Sequence, residues 1–96
     1  MPAFTYVLES LRNGKRYVGS TSKLPAMRLT EHNSGSNQWT RQNGPFKLLY
    51  WEQLQSMDEA QRRERFLKSG AGRKIRDDLC QQAISSVSAE GGSASG

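Results

Sequence analysis

The stretch that decides the fold is residues 3–20, AFTYVLESLRNGKRYVGS. Its two ends, residues 3–9 and 16–20, are rich in the aromatic and β-branched side chains that favour β-strands. Asn13-Gly14 between them is a turn signal, because both residue types tolerate the left-handed backbone of a tight turn. The segment therefore predicts a β-hairpin.

The register of this hairpin decides whether its two tyrosines can act together. Side chains alternate between the two faces of a strand. A loop with an even number of residues therefore places Tyr6 and Tyr17 on one face, and an odd loop separates them. The sequence alone leaves both registers open.

Helical signals follow the hairpin. Pro25 suits the first turn of a helix, where its missing N–H would have had no partner, and Ser22 is the expected N-cap. This helix should run through His32 and end at the Asn-Ser-Gly that follows. Residues 34–44 are polar and predict a surface loop. Within it, Trp39 is either an anchor of the loop or a stacking partner for a base.

The second half of the chain predicts one more strand and two helices. Phe46–Leu54 (FKLLYWEQL) has the composition of a strand. Ser56 and Glu59 form a capping box that announces a helix reaching about Lys68, and a short basic helix should follow and end near Cys80. The expected fold class is α+β, with a small, three-stranded, mainly antiparallel sheet flanked by helices in the order ββαβα(α).

The composition predicts one folded domain, residues 1–80, and a tail, residues 81–96. The tail has no Lys or Arg and is mostly small residues, which is typical of disordered segments. No apolar run reaches the roughly 20 residues that cross a bilayer, and no signal peptide is recognisable. The single Cys80 excludes an internal disulfide, and with one histidine it also excludes a Cys/His zinc cluster. We expect a reducing, cytoplasmic location without membrane contact.

The charge of the chain favours a polyanionic partner. Fourteen Lys and Arg stand against nine Asp and Glu, which gives a net charge of +5. Such an excess favours nucleic acid first and an acidic membrane surface second, although a solvated basic surface has the same composition. The cations expected to contact DNA phosphates are Lys23, Arg62, Arg63, Arg65, Lys68, Arg73, Lys74 and Arg76. For most of them the alternative is an ordinary solvated helix surface.

Glu64 combines an inward position with basic surroundings. Helical spacing places it beside Ala60 and Leu67, which should pack on the sheet. A carboxylate turned toward a core needs a partner, because burying it unpaired is costly. One partner is a divalent metal such as Mg²⁺. The alternative, which spacing alone favours, is an ion pair with Lys68 one turn later.

Arg28 and His32 are four residues apart and share one face of the first predicted helix. Such an arginine could hold a phosphate through two hydrogen bonds, and the histidine could relay a proton. The alternative is a solvated helix face beside Glu31. Tyr6 and Tyr17, taken singly, are packing residues, since a phenol becomes a base only where cations or a metal lower its pKa of about 10.

In combination these residues resemble the GIY-YIG nuclease family, in particular its small stand-alone members related to the nuclease domain of the excision-repair protein UvrC. The resemblance covers residues 3 to 76. The motif that names the family is similar to Phe4-Thr5-Tyr6 and, after ten intervening residues, Tyr17-Val18-Gly19.

Two further motifs carry the same resemblance. The helix with Arg28 and His32 is similar to the family's helix with an Arg and a His or Tyr one turn later. Glu59-Ala60, ahead of Glu64, is similar to the start of the family's third-motif helix. Five weak signals in the family's order are together far more specific than any one of them.

The resemblance implies a metal-dependent endonuclease that hydrolyses DNA phosphodiester bonds. It implies that Glu64 holds a single divalent metal, Mg²⁺ or Mn²⁺, and that Tyr17 orients the attacking water or accepts its proton. Arg28 is expected to stabilise charge on the scissile phosphate. Such a displacement at phosphorus requires a positioned water and a cation on the phosphate oxygens.

The remaining implied roles support these. His32 is expected to assist Tyr17 or the phosphate, and Tyr6 to complete the site near the nucleophile. Gly19 is expected to allow a close backbone approach where the strand leads into the helix. No protein partner is implied.

The chain departs from the family pattern at three places. Phe4 and Thr5 replace the Gly and Ile of the first motif, and Ser20 stands where some relatives have Lys. The family's late Asn would fall near Arg76, but no Asn follows Asn43. This last difference motivates an alternative, a non-catalytic nucleic-acid-binding module on the same scaffold.

A third possibility is an accessory domain whose basic helix meets an acidic protein partner. For the nuclease itself we expect recognition of DNA structure or backbone, with little reading of base sequence, because the chain has no room for a separate DNA-reading domain.

Overall fold

A computed structural model describes residues 1–35 and 38–95, with side chains as far as residue 84. The predicted hairpin is formed by β1 (Ala3–Ser10) and β2 (Arg16–Thr21), and β3 (Phe46–Leu54) pairs with the other side of β1. All pairings are antiparallel and the strand order is β2-β1-β3. The expected α+β class with a three-stranded sheet is confirmed.

The register places the two tyrosines on one face of the sheet. Tyr6 is paired with Gly19, and Leu8 with Tyr17. Residues that oppose each other across an antiparallel pair point to the same face, and so do residues two apart on one strand. Tyr6 and Tyr17 therefore share a face, as expected for an even number of residues, 10–15, between the last paired residues Glu9 and Arg16.

Four helices surround this sheet in the described part of the chain. They are α1 (Pro25–Asn33), α2 (Gln38–Asn43), α3 (Met57–Lys68) and α4 (Gly70–Ser95). The predicted order ββαβα(α) is found, with α4 as its last helix and α2 inserted before β3.

Two local predictions between β2 and β3 were wrong. The N-cap of α1 is Leu24 with no side-chain cap, not Ser22, although Pro25 does occupy the first turn. Residues 38–43 form the helix α2 where a loop was expected. Trp39 anchors this segment, as one of its two interpretations expected, by packing against aromatic rings of the sheet.

The start of α3 agrees with the predicted cap. The Ser56 hydroxyl accepts a hydrogen bond from the backbone N–H of Glu59 (3.3 Å), while the Glu59 carboxylate accepts from the backbone N–H of Gln55. Ala60 and Leu67 are fully buried, and the Thr5 hydroxyl donates to the Ala60 carbonyl at 2.8 Å. These contacts fix α3 on one face of the sheet.

The sheet separates two apolar clusters. On the face covered by α1, the core contains Tyr6, Leu8 and Phe46. On the face covered by α3 and α4, the core contains Val7, Val18, Leu67 and Cys80. Alternation along β1 produces both clusters, because Tyr6, Val7 and Leu8 point to opposite faces in turn.

Helix α4 extends past the predicted end near Cys80 and continues to Ser95, so the backbone is helical where a disordered tail was expected. Cys80 is fully buried, and Ala83, one turn later, lines a shallow hollow with residues of β3. These small side chains continue a packed face that the composition did not reveal. The division at residue 80 stays a prediction, and residue 96 lies outside the described residues.

Two further observations concern the described residues only. No helix among them has both the length and the apolar character needed to span a bilayer. The Cys80 thiol is free, and burial raises its pKa, so it stays protonated and is a poor nucleophile.

Candidate active site

The candidate site is built around the buried phenol of Tyr6. Its hydroxyl lies 3.3 Å from Nε2 of His32. A Cβ added to the opposing Gly19 would lie only 2.5 Å from the Tyr6 hydroxyl oxygen, so only glycine leaves room for this phenol. The close approach expected at Gly19 is therefore that of a tyrosine ring.

Tyr6 is a hydrogen-bond donor in this setting. Burial raises the pKa of the phenol, and the charge of Glu64 acts in the same direction, while Arg28 opposes them. A phenol with a raised pKa stays protonated at neutral pH. Tyr6 is thus suited to orient its neighbours, and of the two tyrosines the partly exposed Tyr17 is the better placed to meet water.

His32 is a buried, neutral acceptor. Its Nε2 lies 3.4 Å from Nη2 of Arg28 as well as 3.3 Å from the Tyr6 hydroxyl. Since an arginine can only donate, Nε2 must accept, and this assigns the ring proton to Nδ1. In the described part of the chain, Nδ1 is buried without a hydrogen-bond partner.

We expect acidification to destabilise the fold through His32. Burial, followed by the charge of Arg28, lowers the pKa of this single histidine below its ordinary 6.5. The unfolded chain then takes up a proton that the folded protein resists, so the free energy of unfolding decreases as the pH falls through about 6.5.

Thermal unfolding followed from about pH 7.5 to about 5.5 measures this loss, and His32→Gln should flatten the dependence in that interval. An imidazole NMR titration of the folded protein with a midpoint at or above the ordinary value would contradict the assignment.

Arg28 is held by two neighbours on its own helix. Its Nη1 donates to Oε1 of Glu31 at 2.8 Å, and Lys23 occupies Oε2 of the same carboxylate at 2.7 Å. The guanidinium therefore has a fixed plane between Glu31 and His32. A guanidinium has five N–H donors, so others remain for a bound anion such as phosphate.

Glu64 lies at the outer edge of β2, although α3 packs on the face opposite to α1. Its Oε1 accepts from the Ser20 hydroxyl and its Oε2 from the Lys68 ammonium, both at 2.6 Å. The Lys68 Nζ lies 5.9 Å from the centroid of the Tyr17 ring. The ion pair anticipated for Glu64 is formed, and Lys68 links the carboxylate to Tyr17.

The aromatic rings complete the connection between the two helices. The Tyr17 ring centroid is 5.2 Å from that of His32 and 6.5 Å from that of Tyr6. Tyr17 thus lies between the Arg28–His32 pair on one side and the Lys68–Glu64 pair on the other. Contacts that pass through Lys68 therefore connect the five residues that the sequence singled out, Tyr6, Tyr17, Arg28, His32 and Glu64. Glu64 meets Ser20 on the α3 face of the sheet, whereas the Tyr17 ring lies on the α1 face.

Three contributors to this cluster were not expected from the sequence. Ser20 orients Glu64, Glu31 anchors Arg28, and Trp39 packs on Tyr17 with a centroid distance of 5.2 Å. Ser20 follows directly on the second motif, which was the one available signal for it. The pairing of Glu31 with Arg28 is a local contact one helical turn apart, whereas the role of Trp39 depends on distant parts of the chain meeting.

The oxygen donors suit a hydrated Mg²⁺-like ion. No group of three or more His, Cys, Asp or Glu side chains that could enclose a metal occurs among the described residues. The donors at the site are the Glu64 carboxylate and the Ser20 hydroxyl. Mg²⁺ keeps several waters and is commonly bound by one or two carboxylates together with substrate phosphate. A metal at Oε2 must displace the Lys68 ammonium.

The structure divides the basic residues of α3 and α4 into several groups. Arg63 does not face Glu64: its Nε lies 2.6 Å from Oε1 of Glu52 on β3, the opposite edge of the sheet. Arg76 pairs with Asp77 at 3.1 Å. Of the cations predicted to contact DNA, the exposed ones on these two helices are Arg62, Arg65, Lys68, Arg73 and Lys74, and Lys23 ahead of α1 is exposed as well.

A basic cleft joins the start of α4 to the hairpin. It has a volume of about 540 Å³ and is lined by four cations and two acids around Gly14: Lys15, Arg16, Arg73, Arg76, Glu9 and Asp77. Arg16 crosses the cleft to Asp77 at 2.9 Å. Arg16 precedes Tyr17 on β2, and neighbouring strand residues point to opposite faces, so the cleft lies on the α3–α4 face of the sheet and the Tyr17 ring on the α1 face.

Comparison with known proteins agrees with this geometry. Residues 2–76 match the family described as the GIY-YIG catalytic domain. The chain belongs to the GIY-YIG family. The matched region contains every residue of the candidate site, and the GIY-YIG family is a family of nucleases that act on nucleic acids and generally use divalent metals.

Relatives of similar size share most of this GIY-YIG domain. A UPF0213 protein of Streptococcus agalactiae is 42% identical over 69 residues, which are 71% of this chain and 76% of the relative. A UPF0213 protein of Clostridium perfringens is 36% identical over 66 residues, 68% of this chain and 69% of the relative. The NMR structure of a UPF0213 protein from Bacillus halodurans has a TM-score of 0.52 and 31% identity, covering 86% and 87% of the two chains.

Proposed function

We propose that this protein is a divalent-metal-dependent DNA endonuclease that responds to DNA structure or backbone, with little dependence on base sequence. The observation that supports this most is the chain of contacts around the partly exposed phenol of Tyr17. Its ring lies against His32, the partner of Arg28, on one side and against Lys68, the partner of Glu64, on the other.

The side chains divide the proposed reaction between them. Glu64 and Ser20 would hold a hydrated Mg²⁺ or Mn²⁺, which when bound polarises the phosphate and lowers the pKa of a coordinated water. Arg28 binds a non-bridging oxygen of the scissile phosphate. Tyr17 orients the attacking water, whose oxygen forms the new P–O bond as its proton leaves toward Tyr17 or solvent.

The buried pair behind these groups controls their orientation. Tyr6 stays protonated and donates to the neutral His32, which also accepts from Arg28. The P–O bond to the leaving oxygen then breaks in line, and that oxygen takes a proton from water. Since Tyr6 is held as a donor, we assign the water-facing role to Tyr17.

The basic surface supplies affinity without reading bases. The exposed cations of α3 and α4 and the cleft next to β2 suit phosphate contacts, each of which should add about one unit to the salt dependence of binding. Contacts of this kind position a protein on the backbone and carry no sequence information.

The test of the proposal is metal-dependent cutting by the intact protein. Supercoiled plasmid and labelled branched DNA are incubated with Mg²⁺ or Mn²⁺, and again with excess EDTA. We expect nicking and branch cleavage with metal and none with EDTA, at positions that follow the branch when its base sequence is permuted. Cutting that continues in EDTA, or that follows a base sequence moved away from the branch, would contradict the proposal.

A second candidate function is binding of nucleic acid without cleavage. It is favoured by one observation: both oxygens of Glu64 are already engaged, by Ser20 and by Lys68. If Lys68 is not displaced, no metal binds and the basic surface alone remains. Salt-sensitive DNA binding, with no cleavage in either metal, would identify this function.

A further inference from the structure

A partly exposed tryptophan borders the candidate site. The Trp39 ring centroid lies 5.6 Å from that of Phe46, with the two rings nearly parallel at 17°, and 5.2 Å from that of Tyr17. These contacts fix the indole on the sheet. Even so, 43% of the Trp39 surface remains exposed, so a large aromatic surface is held rigidly beside Tyr17.

Positive charge lies close to the rings that neighbour Trp39. Lys68 lies against the Tyr17 ring, and Arg28 lies against His32, whose ring contacts Tyr17 at 5.2 Å. Arg41, on the same short helix as Trp39, donates to the Gly35 carbonyl at 3.0 Å. Rigid aromatic rings interleaved with cations are the combination that binds unpaired strands, because the bases stack on the rings while the phosphates meet the cations.

We infer that Trp39 is a stacking platform for one unpaired nucleobase adjacent to the phosphate held at Arg28. The position of that phosphate rests on the proposed nuclease function. In a continuous duplex both faces of each base are covered by neighbouring bases, and freeing one costs a few kcal/mol. The preferred substrate is therefore DNA with a single-stranded nucleotide at the cut.

Trp51 provides a matched control within the same chain. It is the second of two tryptophans and is exposed to a similar extent, 50%. Its ring packs on Phe4 at 5.8 Å. Among the described rings it makes no contact with Tyr17 or His32. Trp51 is therefore about as exposed as Trp39 but does not border the candidate site.

The experiment measures tryptophan emission during titration with DNA in EDTA, so that cutting does not interfere. Trp51→Phe leaves Trp39 as the one emitter, and Trp39→Phe leaves Trp51. The probes are an oligodeoxythymidine, the same strand made of abasic nucleotides, and a blunt duplex of equal length. We expect the oligodeoxythymidine to quench the Trp51→Phe protein strongly, and both other probes to quench it weakly.

Affinity gives an independent measure. Anisotropy titrations should show that Trp39→Ala weakens binding of the oligodeoxythymidine roughly tenfold, the usual effect of one lost stacked base, and changes duplex binding by less than about twofold. Circular dichroism checks that this variant is folded. If it is not, the quenching of the Trp51→Phe protein decides the question by itself.

Three outcomes would overturn the inference. They are equal quenching by the abasic strand, quenching confined to the protein that keeps only Trp51, and unchanged affinity of a folded Trp39→Ala protein. Each leaves the nuclease proposal untouched, since that depends on cutting with Mg²⁺ or Mn²⁺. Conversely, base-dependent quenching without any DNA cleavage would support the stacking role of Trp39 and contradict the proposed nuclease function.

Discussion

Glu64→Gln should abolish metal-dependent DNA cleavage, with a loss of at least about a hundredfold in rate, the scale on which single electrostatic groups act in active sites. The amide keeps the size of the side chain and an oxygen that can accept from Ser20. It removes the negative charge that would hold a divalent cation. Cleavage of a labelled branched substrate by wild type and variant measures the difference.

The fold should survive this substitution. The lost ion pair joins the exposed Lys68 to the partly buried Glu64 one helical turn away, and pairs at this spacing are worth about 0.3–0.5 kcal/mol. We expect a melting temperature within a few degrees of wild type and undiminished DNA binding in EDTA. A loss of cleavage accompanied by unfolding would therefore not count as support.

Glu52→Gln is the matched control. Glu52 is also a partly buried carboxylate paired with a cation, Arg63 at 2.6 Å, but it lies on β3 at the opposite edge of the sheet. The same chemical change there should leave cleavage within about twofold of wild type. If both variants lose activity equally, or Glu64→Gln keeps it, Glu64 is not the metal ligand.

The elements that the sequence predicted well depend on nearby residues. Alternation along β1 and β3 and the cap at Ser56 are local properties, and these strands and α3 lie where they were expected. The register was left open because adding or removing one loop residue moves the side chains of a strand to the opposite face of the sheet. It is settled in the structure by contacts inside the loop, where the Ser10 N–H donates to the Lys15 carbonyl at 2.8 Å and Gly14 takes a φ of 73°.

The elements that were missed depend on distant residues. Helix α2 is stabilised by Trp39 stacking on Phe46, and α4, one turn past its predicted end, keeps Ala83 beside a hollow lined by β3. Neither contact leaves a periodic pattern in the local sequence. Small and polar residues can form packed helix faces when a partner surface is present, and their composition alone does not show it.

The candidate site was predictable as a set of residues and not as a geometry. The motifs placed Tyr17 and Glu64 in one site. Helical spacing had offered the ion pair with Lys68, but nothing showed that Ser20 would engage the other carboxylate oxygen, and together these two contacts decide whether a metal can enter. Some GIY-YIG relatives have a lysine directly after the second motif, where this chain has Ser20. Here the ammonium beside Tyr17 comes from Lys68 on α3 instead.

We expect the second large loss of cleavage rate from substitutions of Arg28, because binding a phosphate through two hydrogen bonds requires the planar guanidinium as well as its positive charge. Arg28→Ala should lower the cleavage rate by about 10²-fold or more, the usual cost of removing one group that stabilises transition-state charge. Arg28→Lys keeps the charge but loses the planar pair of donors, and should recover at most about tenfold of that loss. Single-turnover cleavage at saturating protein measures both.

DNA binding separates charge from geometry in the same two variants. Arg28→Lys should bind branched DNA in EDTA as wild type does, with the same salt dependence, whereas Arg28→Ala should lose about one unit of the salt slope. Arg12→Lys is the matched control, since Arg12 is an exposed arginine of the hairpin loop and should change neither rate nor binding. Full activity of Arg28→Lys would show that Arg28 contributes only its positive charge. Full activity of Arg28→Ala would show that Arg28 takes no part in cleavage. Because Glu31 and His32 hold the guanidinium from two sides, the structure favours the bidentate role, and a selective loss of rate in Arg28→Lys is the result that this geometry requires.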